Sequence, residues 1–138
     1  MKIKKVDYDQ ILKILEEKGI PPSFQRIKIL EYLILNRTHP SVDEIFRDLA
    51  PEILTLSKTT VYNTLKLFAE KGIVKVLGIE KDFARYDIDI SPHSHFKCIK
   101  CERIFDLKIS DDKDLKIEDG FEKIYSENYI YGICKNCK

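Results

Sequence analysis

Between Asp9 and Gly72, apolar residues recur every three or four positions in four blocks, each bounded by helix start and stop signals. Ile11, Leu12, Ile14 and Leu15 form one apolar stripe, ended by Gly19 and Pro21-Pro22. Ser23 is placed to cap a second helix with Ile27, Leu30, Leu33 and Ile34 on its inner face. Ser41-Val-Asp-Glu44 has the spacing of a capping box, in which serine and glutamate satisfy each other's free backbone donors. It opens a short helix that turns Ile45, Phe46 and Leu49 inward and ends near Pro51. Ser57 opens a fourth helix, closed by Gly72, with Val61, Leu65 and Phe68 facing the core. Thr59, Thr60, Tyr62, Asn63 and Lys66 are left facing outward. From Ile73 the period drops to two: 73–77 (IVKVL) and 84–90 (ARYDIDI) alternate like strands, joined by a hairpin tip at 78–83.

Helices followed by a helix–turn–helix and a two-stranded hairpin predict a winged helix-turn-helix domain. Its fourth helix would present Tyr62 and Asn63, among Thr59, Thr60 and Lys66, to the major groove of double-stranded DNA. The competing reading is a small helical domain whose polar face is merely solvated. After Pro92 the pattern becomes strand-like, with short β-type runs at HFKCI, RIFDLKI, FEKIY and YIYGI and one brief helical stretch around Asp112–Asp119. The predicted architecture is α+β: a winged helix-turn-helix domain over 1–87, a hinge at 88–92, and a small C-terminal α/β domain over 93–138.

The chain of 138 residues is 43% hydrophobic and 34% charged, which is an ordinary globular composition for one domain or two small ones. Net charge is only +1, so charge alone neither demands nor excludes nucleic acid. Its distribution is slightly more informative, with a small positive excess over 1–86 and a small negative one over 87–138. The opening MKIKKVDYDQ lacks the apolar stretch of a signal peptide, and YLIL and YIYGI are too short to span a bilayer. The expectation is a cytoplasmic protein with no membrane partner.

Candidate chemistry is concentrated in the second half. Cys98-x-x-Cys101 and Cys134-x-x-Cys137 are separated by 32 residues, each pair beside a predicted strand. In a reducing compartment this pattern suits a tetrahedral zinc site of four thiolates, closed to chemistry and therefore structural. A thiol–disulfide pair and an iron–sulfur cluster are the alternatives, and no thioredoxin-like βαβ context surrounds either CxxC. A second set of ligand types is harder. His93 and His95 lie two apart and project from one face of a strand, Asp87 precedes them, and Asp106 follows on the next strand. His39 lies far upstream in RTHPS. The residues alone favour His93 and His95 as ligands, with Asp106 a further candidate, while His39 before Pro40 reads as a loop residue. A nitrogen/oxygen set of this kind suits manganese, iron or zinc.

In combination these motifs resemble the ferric-uptake-regulator (Fur) family of metal-dependent bacterial repressors, from about Asp9 to Cys137. The matching pieces are QRIKILEYL (25–33), HPSVDEIF (39–46), SKTTVYNTLKLFAEKGIVKVL (57–77), RYD (85–87), HSHFKCIKC (93–101), FDL (105–107) and IYGICKNC (130–137). Within the family the pattern is most similar to the peroxide-sensing branch, PerR. That resemblance implies a regulatory Fe²⁺ or Mn²⁺ site of His39, Asp87, His93, His95 and Asp106, beside structural Zn²⁺ on the four cysteines. It also implies a homodimer joined through the C-terminal domain, a DNA operator, and oxidation of His39 or His93 by peroxide at bound iron. Iron sensors of the family commonly carry Glu where Asp106 stands. PSFQR (22–26) and Glu102 depart from the usual pattern, and the 106–120 segment is about one helical turn short. Glu102 would be strained if its position needs a positive φ. The resemblance implies a repressor and not a catalyst. The alternatives are an iron-, manganese-, zinc- or nickel-responsive relative without peroxide sensing, a metallohydrolase, and a thiol-redox zinc protein.

Overall fold

The computed structural model describes residues 7–108 and 116–138, and they divide into two compact units, Met1–Ile90 and Ser91–Lys138. The first unit carries four helices and a two-stranded hairpin: α1 (Tyr8–Glu17), α2 (Phe24–Leu35), α3 (Val42–Leu49), α4 (Lys58–Glu70), β1 (Lys75–Leu77) and β2 (Arg85–Asp87). This is a winged helix. Each helix begins at a side-chain cap. Ser23, Ser41 and Ser57 accept the amides of Arg26, Glu44 and Thr60, and Asp7 accepts that of Asp9. Helices α1 and α4 end alike, with Gly19 (φ +69°) and Gly72 (φ +77°) left-handed. The amides of Ile20 and Ile73 then reach back to the Leu15 and Phe68 carbonyls at 2.9 and 2.8 Å, so that orphan carbonyls of the last turns are satisfied.

One core fills this unit, built from the inward positions of all four helices together with Ile53, Leu56, Ile73, Val74 and Tyr86. Two of its members escape the simple stripe. Ile29 on α2 is fully buried, because α2 packs against α1, α3 and α4 and so has more than one inner face. Thr64 on α4 is buried beside Leu65. The wing strands are shorter than the alternation suggested, pairing only Lys75 with Asp87, Val76 with Tyr86 and Leu77 with Arg85.

The second unit is a three-stranded sheet in the order β4-β3-β5, from β3 (Ser94–Cys98), β4 (Ile104–Leu107) and β5 (Tyr129–Gly132). β3 pairs antiparallel with β4 and parallel with β5. FEKIY (121–125), expected as a strand, is irregular, and Phe121, Ile124 and Tyr125 are all strongly exposed. Its alternation is suited to a sheet, but the described sheet pairs only β4, β3 and β5 and does not take it up. Half of the brief helix expected around Asp112–Asp119 lies outside the described residues, and 116–119 carry no helix or strand. Among the described residues of this unit, the buried ones are Ser94, His95, Cys98 and Cys134. No described helix is long and apolar enough to cross a membrane.

Candidate metal centres

The parallel β3–β5 pairing sets Cys98 opposite Gly132, and the Ile99 amide donates to the Gly132 carbonyl at 2.8 Å. Each CxxC thus begins where one of two neighbouring strands ends, and the two turns meet. The four sulfurs lie within 4.8 Å of one another, with Cys101 Sγ and Cys134 Sγ 3.9 Å apart. Metal–sulfur bonds of about 2.3 Å in a tetrahedron require sulfur–sulfur edges of roughly 3.8 Å. The donor set therefore fits zinc. A pair of separate thiol–disulfide couples would not gather all four sulfurs at one point, and none of the four is in a disulfide.

The electrostatics of the cluster point the same way. The amides of Cys101 and Cys134 donate to Cys98 Sγ at 3.5 and 3.4 Å and hold its thiol pKa down at about 6. Cys137 is pushed up to about 12, first by its contact with the Cys134 sulfur and then by burial and the remaining thiols. Four thiolates this close repel one another, and a shared divalent cation removes the conflict. Glu102, just after the first pair, has φ +64°, so the turn does require the left-handed conformation that disfavours a side chain.

The harder ligands converge within each unit. In the second, the β3–β4 register places His95 directly across from Asp106, and His93 projects on the same face two residues earlier. Asp106 Oδ1 lies 3.1 Å from His93 Nε2 and 3.4 Å from His95 Nε2, and the two imidazole centroids are 4.3 Å apart. Ligands on adjacent positions around one ion, at bonds of about 2.1 Å, are separated by roughly 3 Å. His93 Nδ1 lies 2.7 Å from the Ser91 carbonyl, which can only accept, so Nδ1 carries the proton. In the neutral ring Nε2 then points a lone pair at a carboxylate oxygen, an arrangement that a cation between them makes favourable. His95 is almost fully buried, whereas Asp106 is about half exposed.

In the first unit His39 Nε2 lies 3.5 Å from Asp87 Oδ2, with both side chains about 95% buried. The Asp89 amide donates to Asp87 Oδ1 at 2.9 Å, leaving Oδ2 turned to the imidazole. His39 has φ +57°. The guanidinium of Arg85, a residue the sequence marked only as part of the RYD match and gave no role, donates to the His39 carbonyl at 3.1 Å. On α4, Thr59, Tyr62, Asn63 and Lys66 are exposed and Thr60 is half-buried, so the polar face of that helix is turned to solvent.

Comparison with known proteins gives a consistent answer. The sequence model of the ferric uptake regulator family matches residues 17–131. A peroxide-responsive repressor, PerR, of Staphylococcus aureus is 32% identical over 136 residues, 96% of this chain and 92% of that protein. PerR of Streptococcus pyogenes, solved in a study of peroxide sensing and gene regulation, is 33% identical. The match covers 100% of this chain and 98% of that one, with a TM-score of 0.55. The ferric uptake regulator of Francisella tularensis, solved with iron, is 28% identical over 86% of this chain and 95% of that one, with a TM-score of 0.73.

Proposed function

The chain belongs to the ferric uptake regulator family, and we propose that it is a metal-dependent transcriptional repressor that senses peroxide through a ferrous ion. The observation that carries this reading is the cluster of His93, His95 and Asp106, two imidazoles and a carboxylate converging on one sheet face as a set separate from the four sulfurs. Aspartate at 106, in place of the glutamate common among iron sensors, and the identity to peroxide-responsive repressors favour the peroxide branch.

In this reading the buried pair His39–Asp87 supplies the remaining ligands, so one ion draws on residues from both sides of the 88–92 hinge. Occupancy is thereby converted into the angle between the two units. In a homodimer that angle sets the spacing of two α4 helices, which must reach half-sites about one DNA turn apart. Thr59, Thr60, Tyr62, Asn63 and Lys66 face the DNA. The second unit exposes the large apolar side chains of Ile117, Phe121, Ile124, Tyr125, Ile130, Tyr131 and Ile133, material of the kind that contact with a second copy buries. A full switch needs roughly 5 kcal/mol of differential metal affinity between the two arrangements, which several coordinate bonds made in only one of them can supply.

Bound Fe²⁺ would supply the reducing power that activates peroxide, whereas Mn²⁺ in the same ligands would act as a co-repressor only. The protein's own contribution is the oxidisable imidazole. His39 or His93 takes up one oxygen atom at a ring C–H, the second oxygen of hydrogen peroxide leaves as water, and a ligand is lost. The test is operator binding by the purified protein, titrated with Fe²⁺, Mn²⁺ and Zn²⁺ with and without peroxide, alongside peptide mass analysis. A one-oxygen mass gain on the His39 or His93 peptide, seen only with iron plus peroxide and together with loss of DNA binding, supports the reading. Metal-dependent binding without that oxidation leaves an iron-, manganese-, zinc- or nickel-responsive repressor instead. His39→Ala should abolish the metal effect on DNA binding while the zinc stays in place.

A further inference from the structure

The backbone at His39 is unusual twice over. Its φ of +57° lies in the left-handed region, which a residue with a Cβ seldom occupies. It also precedes Pro40, whose ring pushes the preceding residue toward extended conformations. Such conformations persist only where the surroundings over-determine them, and they gather at ligand clamps.

Strand β2 provides that clamp. The Tyr86 amide donates to the Pro40 carbonyl at 3.0 Å, and one residue earlier Arg85 Nη1 donates to the His39 carbonyl at 3.1 Å. The guanidinium is itself fixed from two sides. Nη1 also reaches Glu44 Oε1 at 3.3 Å, and Nε reaches Glu80 Oε1 at 3.3 Å. Glu44 lies in the first turn of α3 and holds the Ser41 hydroxyl at 3.4 Å, so the far end of the His39 loop is tied to the same carboxylate. The Arg85 side chain is only 11% exposed, so these charge-assisted bonds are made largely away from bulk water. Arg85 and Asp87 lie two apart on β2. The strand that supplies one ligand therefore also sets the backbone of the other.

We propose that Arg85 is a positioning residue for the regulatory ion. Its guanidinium pins the His39 carbonyl, holds that residue left-handed, and so keeps His39 Nε2 against Asp87 Oδ2. A lysine could not reproduce this, because three partners held from Nε and Nη1 need the rigid guanidinium fork and not a point charge. The proposal rests on the metal-sensor reading above and adds a residue that touches no ion.

The experiment uses the full-length zinc-loaded protein with Arg85→Met and Arg85→Lys. Without regulatory metal, wild-type His39 should show the strong intra-residue amide–Hα nuclear Overhauser effect of a positive φ, and Arg85→Met should lose it. Mn²⁺ affinity, read by electron paramagnetic resonance, should fall about 10- to 100-fold in both variants, the usual cost of losing a group that orients a ligand. Zinc content should be unchanged. In a His39→Ala background the residual Mn²⁺ affinity should no longer respond to Arg85→Met, because a positioning role has nothing left to position. A merely structural strut would weaken binding in both backgrounds. The proposal is overturned if Mn²⁺ affinity stays within about twofold of wild type or if the penalty persists without His39. If Arg85→Met does not fold, Arg85→Lys decides alone by the same two criteria. Wild type that takes up no Mn²⁺ beyond its zinc sinks the sensor reading and this proposal together. Wild-type uptake with an unaffected Arg85→Met sinks this proposal only.

Discussion

Replacing Cys134 with serine, or stripping zinc with a strong chelator, should unfold Ser91–Lys138 while Met1–Ile90 stays folded. The magnitude follows from what each unit buries. The first unit has a continuous core of aliphatic side chains with Phe68 and Tyr86. In the second, the buried side chains among the described residues are Ser94, His95, Cys98 and Cys134, without a single Leu, Ile, Val, Phe or Tyr. A structural zinc site supplies about 10–16 kcal/mol of folding free energy near neutral pH, as much as the whole net stability of an ordinary domain, about 5–15 kcal/mol. With its metal gone, the second unit has little left to set against chain entropy. Amide hydrogen exchange reads the outcome residue by residue. The amides of His95, Cys98 and Ile99, bonded to the carbonyls of Asn128, Arg103 and Gly132, should lose protection on chelation. Core amides of α2 and α4 should keep theirs, and far-UV circular dichroism should keep the signal of the four described helices, which all lie in the first unit. Persistent protection at Ile99 and Cys98 in demonstrably zinc-free protein would refute the reasoning.

Other consequences are smaller and equally direct. Glu102→Gly should stabilise the first zinc turn by about 1–2 kcal/mol, because Glu102 stands at φ +64°, and slower zinc loss to a chelator would show it. Gly132→Ala should weaken the second unit by about 1–3 kcal/mol, since an added Cβ would meet Phe96 Cζ at 3.0 Å and Cε2 at 3.1 Å just before Cys134. A melting temperature equal to wild type would show that the Phe96 ring simply moves aside. Zinc retention should fail on the acid side. The Cys98 thiol is held down at about 6 in the metal-free fold, so the contribution of its thiolate is complete above the ordinary 9 and fades as pH falls through 6, and bound zinc carries that loss further to the acid side. A chromogenic zinc indicator should report release as the solution is acidified, and retention that never depends on pH would contradict the thiolate assignment.

The helices were legible in the sequence because their signals are local. Ser23, Ser41 and Ser57 cap amides three residues ahead, and Gly19 and Gly72 close turns made with residues just behind. The two CxxC pairs and the HxH spacing were legible for the same reason, since turn and strand geometry over a few residues already aligns their side chains. FEKIY shows the limit. Alternation states that a segment could be a strand, but only pairing with a neighbour makes it one, and the described sheet contains only β4, β3 and β5. The parallel β3–β5 pairing that brings Cys98 and Cys134 together joins segments more than thirty residues apart, which no local pattern encodes. The same holds for Arg85, whose chemistry is ordinary until folding sets the His39 carbonyl, Glu44 and Glu80 around it. Sequence by itself determined which residues could bind metal and which segments would coil. Tertiary structure decided which ligands face one another and which backbone is held in strain to aim them, because those outcomes depend on contacts between residues far apart in the chain.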